Sequence, residues 1–245
     1  MQGDTLFISD LHLCESRPNI TSVFLVWLAE VAAQADALYI LGDFFEYWAG
    51  DDAMQDDFHR PILHALHQLT QQNTQVYLMH GNRDFLIREA FSQATGVQLI
   101  ADPLLTVMHG QRILLTHGDA LCTDDVSYIA FREQVRQPAW QSTFLSQSLA
   151  ERKAFIAQAR ARSEVEKSQK ESMIMDVNAD AVAQLVREHD FPPVLIHGHT
   201  HRPDRHAFNV DGHACERWVL GDWYEQGSYL KMDNRGHLVA ETIPT

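Results

Sequence analysis

Short apolar runs alternate along this chain with longer stretches in which apolar residues recur every three or four positions. The runs TLFIS (5–9), ALYIL (37–41) and QVYLM (75–79) are each closed by polar or glycine turn residues, and they predict buried strands. Between them, 21–35 and 58–72 carry the helical spacing, as in Phe24, Leu28 and Val31. Strands alternating with helices predict βαβ units and a largely parallel sheet. A later pair, LLTVM (104–108) and RILLT (112–116), is joined by HGQ and predicts a hairpin. A helix over about 176–189 and a strand PVLIH (193–197) follow, then short β-segments around 206–210, 216–220 and 228–242. The rhythm breaks at about 120–175, which reads as an inserted helical element, and the chain shows no internal repeat or low-complexity tract.

Composition narrows the picture. At 245 residues and 45 % hydrophobic content, the chain is expected to form one domain over 1–245, with the helical insertion at about 125–175. No apolar run reaches the roughly 18 residues needed to cross a bilayer. The N-terminus lacks a basic stretch followed by an apolar one, so no export signal is expected. Cys14, Cys122 and Cys215 lie far apart and form no CxxC pair, which suits a reducing cytoplasm better than disulfides or a thiolate zinc site. A net charge of −14 argues against a general nucleic-acid binder. That charge is uneven: residues 132–170 hold eight Lys/Arg against four acids and are +4, leaving −18 elsewhere. Such asymmetry fits a local anionic partner or simply a solvated basic helix.

Candidate chemistry sits where the predicted strands stop. LFISDLHL delivers Asp10 and His12, and ALYIL stops at Gly42-Asp43. QVYLM runs into HGNRD with Asn82, Arg83 and Asp84. RILLT stops at His117-Gly118-Asp119, and PVLIH at Gly198-His199-Thr200-His201. In a parallel sheet the carboxyl ends of strands share one edge, where open α/β folds place their ligands. Seven candidate metal ligands therefore converge: Asp10, His12, Asp43, Asn82, His117, His199 and His201. Oxygen and imidazole donors without a thiolate suit Mn, Fe or Zn, and the carboxylate share favours Mn. Two metals about 3.5–4 Å apart need a bridging carboxylate, and Asp43, standing alone between the two groups, is the natural bridge. Taken singly, each motif has an ordinary explanation: Asp10 as a helix cap, GNRD as a turn. Five in order, each at a strand end, do not arise from packing.

These motifs resemble those of the binuclear, calcineurin-like metallophosphoesterase superfamily. The resemblance implies a four-layer α/β/β/α sandwich carrying a helical insertion, or lid. It places one metal on Asp10, His12, Asp43 and His201, and the other on Asp43, Asn82, His117 and His199. Asp43, Asn82, His117 and His199 are thereby implied as the catalytic set. The longer wording, LYILGDFFEYWAGDD, HGNRDFL, HGDALCTDD, IMDVN and LIHGHTHRP with VLGDW further on, resembles the UDP-2,3-diacylglucosamine pyrophosphohydrolases of lipid A synthesis. That family implies cleavage of a lipid-linked sugar nucleotide to UMP and 2,3-diacylglucosamine 1-phosphate, by a dimetal-activated water attacking the α-phosphorus. Two Mn²⁺ are the implied cofactors, with Fe or Zn as alternatives. Matching positions imply substrate contacts at Asn82, Arg83, Asp125, Ser163, Lys167, Lys170 and His199. Lys167 departs from the pattern, where an asparagine is common, and an ammonium does not copy an amide's donor–acceptor pair. His80, His197 and Asp119 are expected to orient neighbouring ligands.

The insertion fits a lipid phosphate independently of the resemblance. Trp140, Phe144, Leu145 and Leu149 would form one apolar stripe on a helix, and Arg160, Ser163, Lys167 and Lys170 one basic face. A lid over the metal edge, or the plain core of a helical hairpin, both satisfy this spacing. The expectation is a cytoplasmic monomer resting peripherally on the inner membrane's cytoplasmic face, with no nucleic-acid partner. Two other classes compete: a soluble phosphodiesterase or phosphatase of the same superfamily, and a non-enzymatic metal-binding scaffold.

Overall fold

In a computed structural model, residues 3–169 and 176–243 are described, with backbone alone for 162–169. Two sheets stack face to face. The first has the order β11-β10-β1-β2-β3-β4, built from Leu238–Ile243, Gly227–Met232, Thr5–Ile8, Ala37–Leu41, Gln75–Met79 and Gln98–Ile100. The second has the order β5-β6-β7-β9-β8, from Leu104–Met108, Gln111–Thr116, Val194–His197, His213–Val219 and Asp204–Val210.

Side-chain alternation along the strands decides the layering. In β1 to β3, Leu6, Ile8, Leu38, Ile40, Val76 and Leu78 face outward into a core shared with helices α1 (Pro18–Glu30), α2 (His59–Thr70) and α3 (Glu89–Thr95). Their neighbours Phe7, Tyr39, Leu41 and Met79 face inward and meet Ile113, Leu115 and Ile196 of the second sheet. Leu114 and Leu195 point the other way, onto Val182 of α7 (Ala179–Glu188). The result is a four-layer α/β/β/α sandwich, as the motifs implied.

Several expectations needed correction. The single, largely parallel sheet is two mixed sheets: β1 to β4 run parallel, as do β6, β7 and β9, with antiparallel strands added at the flanks. The segment predicted at 228–242 is a hairpin, because Asp233 accepts from the amides of Arg235 and His237 and Gly236 turns at φ +84°. Helix α1 starts at Pro18, whose fixed φ suits the first turn, and ends by Glu30 rather than residue 35. Two elements, α3 and β4, are too short to show a period.

The insertion contributes α4 (Val126–Arg136), α5 (Pro138–Leu145) and α6 (Leu149–Gln169). The expected Trp140–Leu149 stripe is split between two helices. Ser148 and Glu151 form a reciprocal cap, Glu151 accepting from the Ser148 amide at 2.9 Å and hydroxyl at 2.7 Å, so α6 begins at Leu149. Phe144 is buried in the main core, with Trp140 stacked on it. Arg152 of α6 is also buried and ion-pairs with Asp52, while Lys153 reaches Asp56. Among the described residues, no helix is long and apolar enough to cross a membrane.

Candidate metal centre

All five motif-bearing strands end on the same edge of the sandwich. The first sheet supplies Asp10, His12, Asp43 and Asn82, and the second supplies His117, His199 and His201. Backbone bonds tie the first sheet's two ligand loops together: Asp10 N–H donates to Gly42 O at 3.1 Å, and His12 N–H to Asp43 O at 2.9 Å. Trp223 N–H donates to Asp10 O at 3.1 Å, and His199 N–H to Asp10 Oδ2 at 2.8 Å.

The backbone here is strained. Asp10, His12, Asp43, His199 and His201 all take positive φ, between +48° and +68°. Non-glycine residues avoid this region, and such strain persists only where the surroundings over-determine it. Glycines make room: a Cβ on Gly81 would run into the Asp43 carboxylate and backbone nitrogen, and one on Gly198 into Ser9 and Asp10.

The donors form two groups. Asp10, His12 and His201 converge in one, and Asp43, His117 and His199 in the other, with a ligand atom from each within 4.8 Å of the others in its group. His12 Nε2 faces His201 Nε2 at 3.3 Å, and Asp10 Oδ1 lies 3.3 Å from His201 Nε2. Asn82 Oδ1 is 3.1 Å from His117 Nε2. Asp43 stands between the groups, its Oδ2 at 3.7 Å from His12 Nε2 and its Oδ1 at 3.7 Å from His117 Nε2. One carboxylate thus turns an oxygen to each side, as a bridge requires. Asp10, His12, Asp43 and His117 are all buried.

The electrostatics call for positive charge. Burial pushes the Asp43 carboxyl up to about 7, reinforced by Asp10 and Asp84. Burial disfavours charge on His117, but Asp43, Asp119 and Asp10 outweigh it and lift the imidazole to about 9. His201 is likewise lifted to about 9, its burial outweighed by Asp10 and Asp222. Burial, with His117 nearby, lowers His199 to about 3. Asp10 Oδ1 is buried with no well-aligned hydrogen bond among the described residues, only the His201 ring beside it. Crowded carboxylates, imidazole nitrogens aimed at one another and a buried carboxylate oxygen without a well-aligned donor are what a pair of divalent cations would resolve.

The neighbours divide by role. Asp84 accepts from the Phe44 and Gly81 amides at 2.7 Å each and so shapes the loop carrying Asn82. Arg83 N–H donates to Asp43 Oδ1 at 2.8 Å. Asp119 accepts from the Tyr128 hydroxyl and Arg132, and Tyr128 stacks on His199 with ring centres 5.9 Å apart. His197 hydrogen-bonds the Gly198 carbonyl at 2.8 Å, while His80 meets Ile87 O at 2.8 Å, away from the donor groups. Asp125 caps α4 by accepting from the Tyr128 amide. The side chains of Ser163 and Lys167, and all of Lys170, lie outside the described residues. Two residues were missed from sequence. Asp222 Oδ2 lies 3.2 Å from His201 Nδ1; it follows Gly221 just beyond β9, the same glycine–acid punctuation as at Gly42-Asp43. Glu46 lies 3.7 Å from His12 Nδ1 and among arginines, and no motif marks it.

A four-layer sandwich with this donor edge defines a metallophosphoesterase. The chain belongs to the calcineurin-like phosphoesterase family, whose model matches residues 4–203. It is similar over nearly its whole length to curated UDP-2,3-diacylglucosamine hydrolases. That of Aromatoleum aromaticum is 50 % identical over 96 % of this chain and 95 % of its own. Those of Cellvibrio japonicus and Aeromonas hydrophila are 48 % and 47 % identical, covering 95 % and 92 % of this chain and 96 % and 93 % of theirs.

Proposed function

We propose that this chain hydrolyses the diphosphate of UDP-2,3-diacylglucosamine, giving UMP and 2,3-diacylglucosamine 1-phosphate in lipid A biosynthesis. The observation that carries the reading is the end-to-end identity with curated hydrolases of that name, on a chain whose donor edge is complete. Asp10, His12, Asp43 and His201 would hold one metal, and Asp43, Asn82, His117 and His199 the other. Mn²⁺ suits the oxygen-rich donor set best, with Fe or Zn compatible. When bound, such a pair acts as a Lewis acid, activating water and neutralising charge on the phosphoryl oxygens.

The chain's own groups do the rest. Asp222 and Asp10 hold His201 between them, fixing its ring. Arg83 and Arg160, both near Glu46, offer guanidinium donors to a diphosphate. Water adds at the α-phosphorus and the bond to the β-phosphate's bridging oxygen breaks, so the solvent oxygen ends in UMP. Asn82, Arg83, Asp125, Ser163, Lys167, Lys170 and His199 are assigned to the substrate. The insertion, with Phe131 and Phe155 exposed, is assigned to the acyl chains, as a lid on a monomer that rests peripherally on the cytoplasmic face of the inner membrane.

The test is hydrolysis with Mn²⁺ in ¹⁸O-water, read by mass spectrometry. The expected products are UMP carrying one ¹⁸O and an unlabelled lipid phosphate. Label in the lipid phosphate, or turnover of a generic phosphodiester alone, would overturn the assignment.

A further inference from the structure

Glu46 lies three residues beyond Asp43 and is more than nine-tenths buried. Its two oxygens divide the surroundings. Oε1 accepts from Arg160 of α6 at 2.7 Å and lies 3.9 Å from Arg83. Oε2 accepts from Arg17 at 2.9 Å and faces His12 Nδ1 at 3.7 Å. Three guanidiniums therefore converge on one carboxylate from the turn before α1, the loop after β3 and the inserted helix. Arg17 is pinned further, over the Tyr224 ring at 4.5 Å and on the His12 carbonyl.

Glu46 alone does not balance three guanidiniums, and the other carboxylate near Arg83, that of Asp43, turns its oxygens to His12 and His117. Gathering like charges where water is partly excluded is unfavourable unless an anion of more than one charge meets them there. Donors for that anion remain: Arg160 Nε and Arg17 Nη1 are buried without a hydrogen-bond partner among the described residues. A guanidinium presents its N–H groups as a planar fork that matches phosphate oxygens.

We propose that Glu46 is a positioning residue that presets Arg83 and Arg160 as a cradle for a diphosphate, and so latches α6 of the insertion to the metal edge. The proposal rests on the reading that the substrate is a nucleotide diphosphate. Glu46 acts through the arginines and not on the reacting atoms.

A double-mutant cycle tests it. Glu46→Gln is expected to lower kcat/KM for the sugar nucleotide about 10- to 100-fold, with two metals still bound and little change in melting temperature. Arg160→Ala should cost a similar factor, and the double variant little more than either, because each removes the same latch. Glu46→Asp, which keeps the charge, should recover part of the loss. The same cycle is read by calorimetric binding of inorganic pyrophosphate to the Mn²⁺-loaded protein, which needs no sugar nucleotide. Coupling in that second cycle supports the proposal even where the wild type leaves the sugar nucleotide intact, a result that would defeat only the functional reading. Fully additive losses, or wild-type pyrophosphate binding by Glu46→Gln, would overturn it.

Discussion

At the strand-end edge, the first-sheet ligands Asp10, His12 and Asp43 are at most 2 % exposed, on left-handed backbone held by both sheets. On the insertion, Val126, Phe131 and Phe155 stand between 43 % and 74 % exposed, on helices that meet the body partly through ion pairs such as Arg152–Asp52 and Arg160–Glu46. In the first region each donor group draws on both sheets: Asp10 and His12 meet His201, and Asp43 meets His117 and His199. The second is anchored to the sandwich by a few buried residues, Phe144 and Arg152 among them, while its exposed side chains take no part in that packing. The proposed function accordingly assigns reaction chemistry to the edge and substrate choice to the insertion.

The largest effect should come from the bridge. Asp43→Ala is expected to lower turnover by at least about a thousandfold, since stabilisation of developing phosphoryl charge depends on both cations. Metal analysis should then find no more than one ion per chain. Near-normal turnover, or two tightly bound ions, would break the distinction at its base.

Phe144→Ala comes next and probes the boundary between the regions. Phe144 lies on the insertion by sequence but in the main core by burial. Its truncation should cost about 3–5 kcal/mol and be seen as a large drop in melting temperature with loss of every activity. A variant that kept its stability would return Phe144 to the substrate-facing side. Gly81→Ala asks the same of the edge: a Cβ forced against Asp43 should cost about 1–3 kcal/mol and weaken metal binding. Calorimetry with and without Mn²⁺ would check both.

The edge also carries a pH dependence. His117 and His201 are held protonated to about 9, above the ordinary 6.5. Raised groups of this kind stabilise the fold below about 6.5 and lose that contribution as pH rises through about 9. The metal-free chain should therefore melt earlier at pH 9 than at pH 6.5. Protons and metals compete for the same nitrogens, so the stabilisation by Mn²⁺ should grow across the same window. Metal-free stability that rises from pH 6.5 to 9 would contradict this.

The two regions also differed in how far their sequence could be read. The edge was legible because strand, glycine and ligand are consecutive: Gly42-Asp43 and Gly198-His199-Thr200-His201 state their own geometry. Asp222 follows the same rule after Gly221 and was open to that reading. Glu46 was not, because its partners Arg17, Arg83 and Arg160 meet it only through tertiary folding. On the insertion, apolar spacing alone joined Trp140 to Leu149, although Ser148-Leu149-Ala150-Glu151 spells a helix start between them. Spacing also could not separate Phe144, which is buried in the core, from Phe155, which packs edge-on against it and leaves its other side exposed.

The most direct test is the ratio of kcat/KM on UDP-2,3-diacylglucosamine to that on a water-soluble phosphodiester, measured in Asp43→Asn and Phe155→Ala. Asp43→Asn should depress both substrates together and leave the ratio unchanged. Phe155→Ala should lower the ratio about tenfold or more, the value of an aromatic surface lost to an acyl chain, while sparing the soluble ester and both metals. Equal losses on both substrates in Phe155→Ala, with the fold and metal content intact, would contradict the division of labour between edge and insertion.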